Sequence, residues 1–199
     1  MASRIIDPVV HSQTSHSYRS QRLRIHYVDW GNEEAPTLLL IHGWRDHCRN
    51  WDWVARAFHA DYHVIALDLR GHGDSQWVFG SGYTMIDYVY DIAQLIHQKN
   101  LEPNKIIGHS LGGSIALQYA GIYPEKVHKL ISIEGLGPRQ HEIKETGRKP
   151  APQRIGERID QPRGFAGRVP RRYNSVEDAI ARMHDANSNL SEHQARHLT

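Results

Sequence analysis

Cysteine is almost missing from this chain. Cys48 is the only one in 199 residues, so no disulfide can form within it. A lone thiol suits a reducing compartment, and the expected location is cytoplasmic. Long apolar runs are missing too. None approaches the roughly 18 residues of a membrane span, and residues 1–17 lack the apolar core of a secretory signal. Charge of one sign is not in excess, because 24 Lys and Arg face 22 Asp and Glu. Nothing there selects a nucleic acid or a membrane surface as partner. There is no internal repeat, no Gly-rich phosphate loop with a lysine, and no Cys-rich ligand spacing, so neither cofactor nor metal is expected. What is present is 39% apolar and 23% charged residues, the composition of a folded chain of one domain with a small appendage.

The small basic surplus is local. Residues 136–199 hold 12 Lys/Arg and 8 Asp/Glu, which leaves 12 and 14 for residues 1–135. The chain therefore reads as two regions with a boundary near 135. In the first, strand and helix patterns alternate. Residues 22–30 place Leu23, Ile25 and Tyr27 on one face at a period of two. Residues 37–41, 62–67, 105–107 and 129–133 are short apolar runs, as strands buried on both faces should be. Between them, Trp51, Val54, Ala55 and Phe58 recur at helical spacing, and Trp51 and Phe58 are expected in the core. Ile86, Val89, Tyr90, Ala93 and Ile96 trace a second helix. A third should start near Ser110 and stop before Pro124. Such alternation predicts an α/β fold, a mostly parallel sheet with helices on both faces.

Residues 139–172 hold ten Lys/Arg against four Asp/Glu, with several Gly and Pro, and are expected to be a solvated, mobile excursion. Aromatic interleaving is too sparse there for a nucleic-acid arm. Helical order resumes with Ser175-Val-Glu-Asp178, which resembles a capping box, and a stripe through Val176, Ile180, Met183, Asn187 and Leu190. A second cap signal, Ser191 to Gln194, opens a helix with barely a turn before Thr199. The chain is expected to be cut rather than finished.

The strongest chemical signal is Gly108-His109-Ser110-Leu111-Gly112-Gly113. It follows one apolar run and precedes a helical pattern, the strand–turn–helix setting of a nucleophile elbow. Flanking glycines permit the tight turn that projects the Ser110 hydroxyl, and the following helix aims N–H groups at developing negative charge. His42-Gly43-Trp44 ends another buried strand, so the backbone N–H groups of Trp44 and Leu111 could form a two-donor oxyanion hole. Asp68-Leu-Arg-Gly-His-Gly-Asp-Ser75 closes the next strand and reads as structural, an aspartate bonding loop amides.

These segments, with Tyr123-Pro-Glu-Lys-Val127, occur in the order and spacing of the α/β-hydrolase superfamily, which residues 20–137 resemble. The likeness points to its lid-bearing members, which include small esterases, epoxide hydrolases and haloalkane dehalogenases. The last two use Asp as nucleophile, so Ser110 implies ester-type acyl transfer on a small ester or acyl substrate, without cofactor. The resemblance implies strands one to six of the core in residues 1–135 and part of a helical lid in 136–199. Where the acid follows the sixth strand, Glu134 occupies its place and could orient a histidine. No catalytic His is identified: the family's follows an eighth strand, and no seventh or eighth is visible. With the sixth strand as an open edge, self-association through it is expected. Two other classes stay open. One is a non-catalytic binding or scaffold protein, the other a cofactor-independent oxygenase or C–C hydrolase on the same fold.

Overall fold

The computed structural model describes residues 13–79, 83–101, 104–137, 147–163 and 172–199. It resolves into two compact units, residues 1–136 and 137–199. No described helix is long and apolar enough to cross a membrane.

The first unit is built on six strands: β1 (Thr14–Ser20), β2 (Leu23–Asp29), β3 (Thr37–Ile41), β4 (His63–Leu67), β5 (Asn104–His109) and β6 (Val127–Ile133). They form one sheet in the order β1-β2-β4-β3-β5-β6. β1 and β2 are an antiparallel hairpin and β2 runs antiparallel to β4, while β3, β4, β5 and β6 are mutually parallel. Strand order changes direction at β3, with β4 on one side and β5 on the other. In an open parallel sheet that reversal leaves a crevice beyond the carboxyl ends of the strands.

Alternation along β3 and β4 sorts the core. Leu39, Ile41, Ile65 and Leu67 point to one face and pack with α2 (Met85–Lys99) and α3 (Leu111–Ile122); Leu38, Leu40, Val64 and Ala66 point to the other, onto Cys48, Trp51 and Ala55 around α1 (Asp52–Phe58). β3 and β4 are thus covered on both faces, as their unbroken apolar runs predict. β6 departs from that expectation: none of its residues is buried, and Ile131 and Ile133 are exposed, because it has β5 as its one neighbour among the described residues. Trp51 is buried as expected. Phe58 is not: it is 40% exposed, because it ends α1 and lies edge-on to Tyr62 rather than under the sheet.

α2 corrects a second expectation. It opens with a reciprocal Thr84–Asp87 capping box and closes on Asn100 in the left-handed region. Its buried stripe runs through Tyr88, Val89, Asp91, Ile92, Leu95 and Ile96, whereas Ile86 and Tyr90 face solvent. The charged Asp91 conceals the true stripe. It is buried because the Arg70 guanidinium grips it bidentately at 2.6 and 2.7 Å while Ser20 and the Tyr18 hydroxyl bond to its side chain and carbonyl. Burial opposes the Arg70 charge, but the Asp91 hydrogen bonds and the Asp91 and Asp87 charges outweigh it and hold the guanidinium above its usual range.

β1 itself was not foreseen. Its sequence, Thr-Ser-His-Ser-Tyr-Arg-Ser, has no apolar alternation, and only Tyr18 and Ser20 are buried. It is an edge strand held by its hairpin register and by the Asp91 network.

The second unit contains α4 (Ala151–Arg163), α5 (Val176–Ala186) and α6 (Glu192–Leu198). α4 lies within the stretch expected to be an irregular excursion. Pro152 sits in its first turn, where a missing N–H breaks no helical bond, and Lys149 pairs with Glu157 at 2.9 Å. The rest of that stretch, 139–146 and 164–171, lies outside the described residues. Ser175 caps α5 by accepting from the Asp178 N–H, and Ser191 and Gln194 cap α6 reciprocally. Ile180 and Ala195 are buried, but Val176 is exposed and Asn187 already lies past the end of α5.

Candidate active site

Three segments converge at the carboxyl ends of β3, β5 and β6. Ser110 joins β5 to α3 with φ 50° and ψ −113°. That conformation costs an ordinary side chain about 1–3 kcal/mol and survives only where surroundings enforce it. Here they do. The Ser110 N–H donates to the Ile133 carbonyl of β6 at 2.8 Å, and the Ser110 carbonyl accepts from the Ser114 N–H at 3.1 Å. A Cβ on Gly108 would come 2.5 Å from the Gly112 carbonyl, and one on Gly112 would strike the Ile41 and His42 carbonyls. Backbone contact this close explains both glycines better than turn propensity alone.

The His42-Gly43-Trp44 loop lies against this turn. A Cβ on Gly43 would sit 2.9 Å from His109 Nδ1 and 3.4 Å from Ser110 Cβ. On the other side, a Cβ on Gly135 would come 2.6 Å from the Ser110 carbonyl oxygen, which brings Glu134 to the same end of the sheet. Arg45, Ser110 and Glu134 are all non-glycine residues at positive φ (59°, 50° and 56°). Three such residues following β3, β5 and β6 mark one locus. The remaining positive-φ side chains among the described residues, Gln21, Asn32 and Asn100, occupy ordinary turns and a helix end.

Neither the Trp44 nor the Leu111 N–H has an acceptor among the described residues; Leu111 begins α3, where the first N–H groups have no intrahelical partner. His42 is buried and fully engaged. Its Nδ1–H donates to the Gly43 carbonyl at 2.7 Å and its Nε2 accepts from the Leu69 N–H at 2.9 Å. Burial pushes it down to about 4, so it is a neutral strut between the loops after β3 and β4. Glu134 is exposed. No imidazole hydrogen-bonds to Ser110 or Glu134 among the described residues.

Asp68 follows β4 and is saturated. It accepts from the Cys48 N–H at 2.6 Å, the Asp74 N–H at 3.0 Å and His26 Nδ1–H at 2.7 Å. Burial alone would raise it, but the His26, Cys48 and Asp74 bonds prevail and hold it at about 2. His26, Cys48 and Asp68 do place three potential ligand atoms within 4.8 Å. Their chemistry suits protons better than an ion, since both Asp68 oxygens are taken and burial pushes the Cys48 thiol well up. Paired histidines four apart do occur in the sequence, at His59/His63 and His193/His197. His63 is bonded instead to Asp29 at 3.0 Å.

A cavity of about 490 Å³ adjoins the loop after β3. Trp44, His72, Trp77, Tyr83 and Tyr88 line it, and the Tyr83 hydroxyl accepts from the Val78 N–H at 2.9 Å. Of these, Trp44 stands out in the sequence only for its backbone N–H and His72 only within the Asp68–Ser75 segment; Trp77, Tyr83 and Tyr88 do not stand out. Aromatics scattered over 45 positions carry no periodicity until the loops after β3 and β4 bring them together.

Comparison with known proteins agrees with this architecture. The family model described as alpha/beta hydrolase fold matches residues 36–158, more than half of the chain. A probable serine hydrolase of Drosophila melanogaster is 35% identical over 111 residues, 55% of this chain and 34% of that protein. Epoxide hydrolase 4 of Homo sapiens is 34% identical over 128 residues, 64% of this chain and 35% of its own length. Among solved structures, the thioesterase domain from the curacin biosynthetic pathway superposes with a TM-score of 0.79 at 25% identity, covering 94% of this chain and 66% of that domain. The chain spans about a third of the length of these two curated relatives.

Proposed function

The chain belongs to the α/β-hydrolase family, and from that premise we propose that it carries the nucleophile and oxyanion hole of a serine hydrolase cleaving ester or similar acyl substrates. One observation carries the proposal: Ser110 is held at φ 50° between β5 and α3, packed against Gly43 and Gly135. A serine there favours acyl transfer over epoxide opening. Ser110 Oγ would attack the carbonyl carbon, the Trp44 and Leu111 N–H groups would hold the oxyanion, and the start of α3 would add its positive dipole end. The aromatic cavity beside Trp44 supplies a place for the apolar part of the substrate. Glu134 would orient a general base that is a histidine outside the described residues.

The observation favouring a second reading is that same gap. A scaffold that keeps the fold without a base would show the same elbow and no turnover. Turnover of p-nitrophenyl esters by the intact protein separates the two. Ser110→Ala should lower it by about a thousandfold or more, the usual scale for a triad member. An unchanged rate in that variant overturns the assignment.

Self-association is part of the proposal. β6 has β5 as its one neighbour among the described residues, and Ile131 and Ile133 on it are 55% and 43% exposed. An apolar edge with unpaired backbone groups is a template for a second copy. Sedimentation should show a concentration-dependent dimer; a monomer at every concentration would contradict it.

A further inference from the structure

A second serine meets a histidine and an aspartate on and just after the strands that lie across β3 from the elbow. Ser15 Oγ lies 2.5 Å from His26 Nε2, and His26 Nδ1 lies 2.7 Å from Asp68 Oδ2. The hairpin register explains the meeting. Ser15 pairs with Val28 and Ser17 with His26, so Ser15, Ser17, His26 and Val28 share one face of the sheet. The imidazole is nearly buried, with 8% of its side chain exposed, and Asp68 is buried. Ser15 itself is exposed.

The polarity of the chain follows from its fixed end. The Asp68 carboxylate also accepts the Cys48 and Asp74 N–H groups, so it is an acceptor throughout and His26 Nδ1 must bring the proton. With the Nδ1 proton committed to Asp68, Nε2 is the ring nitrogen that faces the Ser15 hydroxyl. A nucleophile bonded to a base that a third group orients is the arrangement by which serine hydroxyls are activated.

We propose that Ser15 is a second, independent nucleophilic hydroxyl, which accepts small activated acyl or phosphonyl groups through the His26–Asp68 pair. With a fluorophosphonate, the Ser15 Oγ–P bond forms as the P–F bond breaks. The hydroxyl proton passes to His26 Nε2, Asp68 stabilises the imidazolium, and fluoride leaves. With an activated ester, the Oγ–acyl bond forms and the phenolate leaves in the same way. Ser15 lies in extended strand rather than at a helix start, so the product is a stable adduct and not a turnover intermediate.

The test uses diisopropyl fluorophosphate on the intact protein carrying Ser110→Ala, with adducts assigned by peptide mass spectrometry. Ser17, exposed on the same strand and face, is the internal standard. Ser15 should be modified at least about a hundredfold faster than Ser17, the lower end of what a positioned base contributes. His26→Gln, checked for folding by circular dichroism, should bring Ser15 down to the Ser17 rate. Equal rates at Ser15 and Ser17 before any change to His26 would overturn the proposal even if the His26 variant fails to fold. So would a folded His26→Gln protein that still modifies Ser15 rapidly. Because Ser110 is absent from this experiment, its outcome is separate from the assignment of the elbow.

Discussion

At the elbow, Ser110 has backbone strain, a helix start and two N–H groups without acceptors, but no imidazole on its hydroxyl among the described residues. At the β1 edge, Ser15 has an oriented imidazole and a buried carboxylate but only the regular backbone of a strand. The two serines divide between them what a complete acyl-transfer site combines. On the proposed reading the elbow would supply what stabilises a developing oxyanion, and the edge would supply what removes a proton. Attack on an ester requires both, and electrostatic stabilisation of the oxyanion is usually the larger contribution. On that reading, hydrolysis therefore falls to Ser110 and one-time adduct formation to Ser15.

The largest effect that could break this comparison is on the elbow itself. Ser110→Ala should remove ester turnover while leaving the Ser15 adduct in place; loss of both would mean that the two serines are not independent. Next in size is stability. Asp91→Ala leaves the Arg70 guanidinium buried without its bidentate partner and should cost about 3–5 kcal/mol in denaturant unfolding. Because that network also holds β1 through Tyr18 and Ser20, the Ser15 site should be damaged more than the elbow. Equal damage to both would contradict the comparison.

The buried His42 sharpens the comparison through pH. His42 sits at about 4 in the fold against about 6.5 when unfolded. Its contribution is intact above pH 6.5, because neither state is then protonated. It is lost as pH falls from 6.5 towards 4, because only the unfolded chain takes up the proton there, and the loss is on the order of 3 kcal/mol. The difference in unfolding free energy between wild type and His42→Gln should therefore shrink from pH 7 to pH 4. A constant difference would show that His42 is not held neutral.

Smaller still is the elbow's backbone packing. Gly112→Ala pushes a methyl into the Ile41 and His42 carbonyls and should cost about 1–3 kcal/mol, with ester turnover falling and the Ser15 adduct rate unchanged. The least expected effect is at the opposite edge. Ile131→Lys on β6 should weaken self-association by roughly tenfold, about 1.4 kcal/mol, and leave both serines as they are.

The sequence displays one of these sites and hides the other for a physical reason. The elbow is local: Gly108 to Gly113 are contiguous, and β3, β4, β5 and β6 are apolar runs whose alternation needs no partner to be seen. The convergence of Gly43 and Glu134 on Ser110 follows once the strand order is known. Ser15, His26 and Asp68 are joined only by hairpin register and by a strand, β1, that carries almost no apolar pattern. The stripe of α2 was rotated because Asp91 looks like a surface residue until Arg70 is placed against it. α4 is obscured by Pro152, which breaks a helix in its middle but not in its first turn, and by Gly156 inside it. Phe58 met the helical spacing but fell at the end of α1, where a side chain can leave the core.

The most direct test of the central claim is peptide-resolved labelling of the intact protein with a fluorophosphonate. The account predicts an adduct on the peptide carrying Ser110, formed faster than the one on the peptide carrying Ser15. Folded protein that takes up the probe at Ser15 and leaves Ser110 unmodified would contradict it.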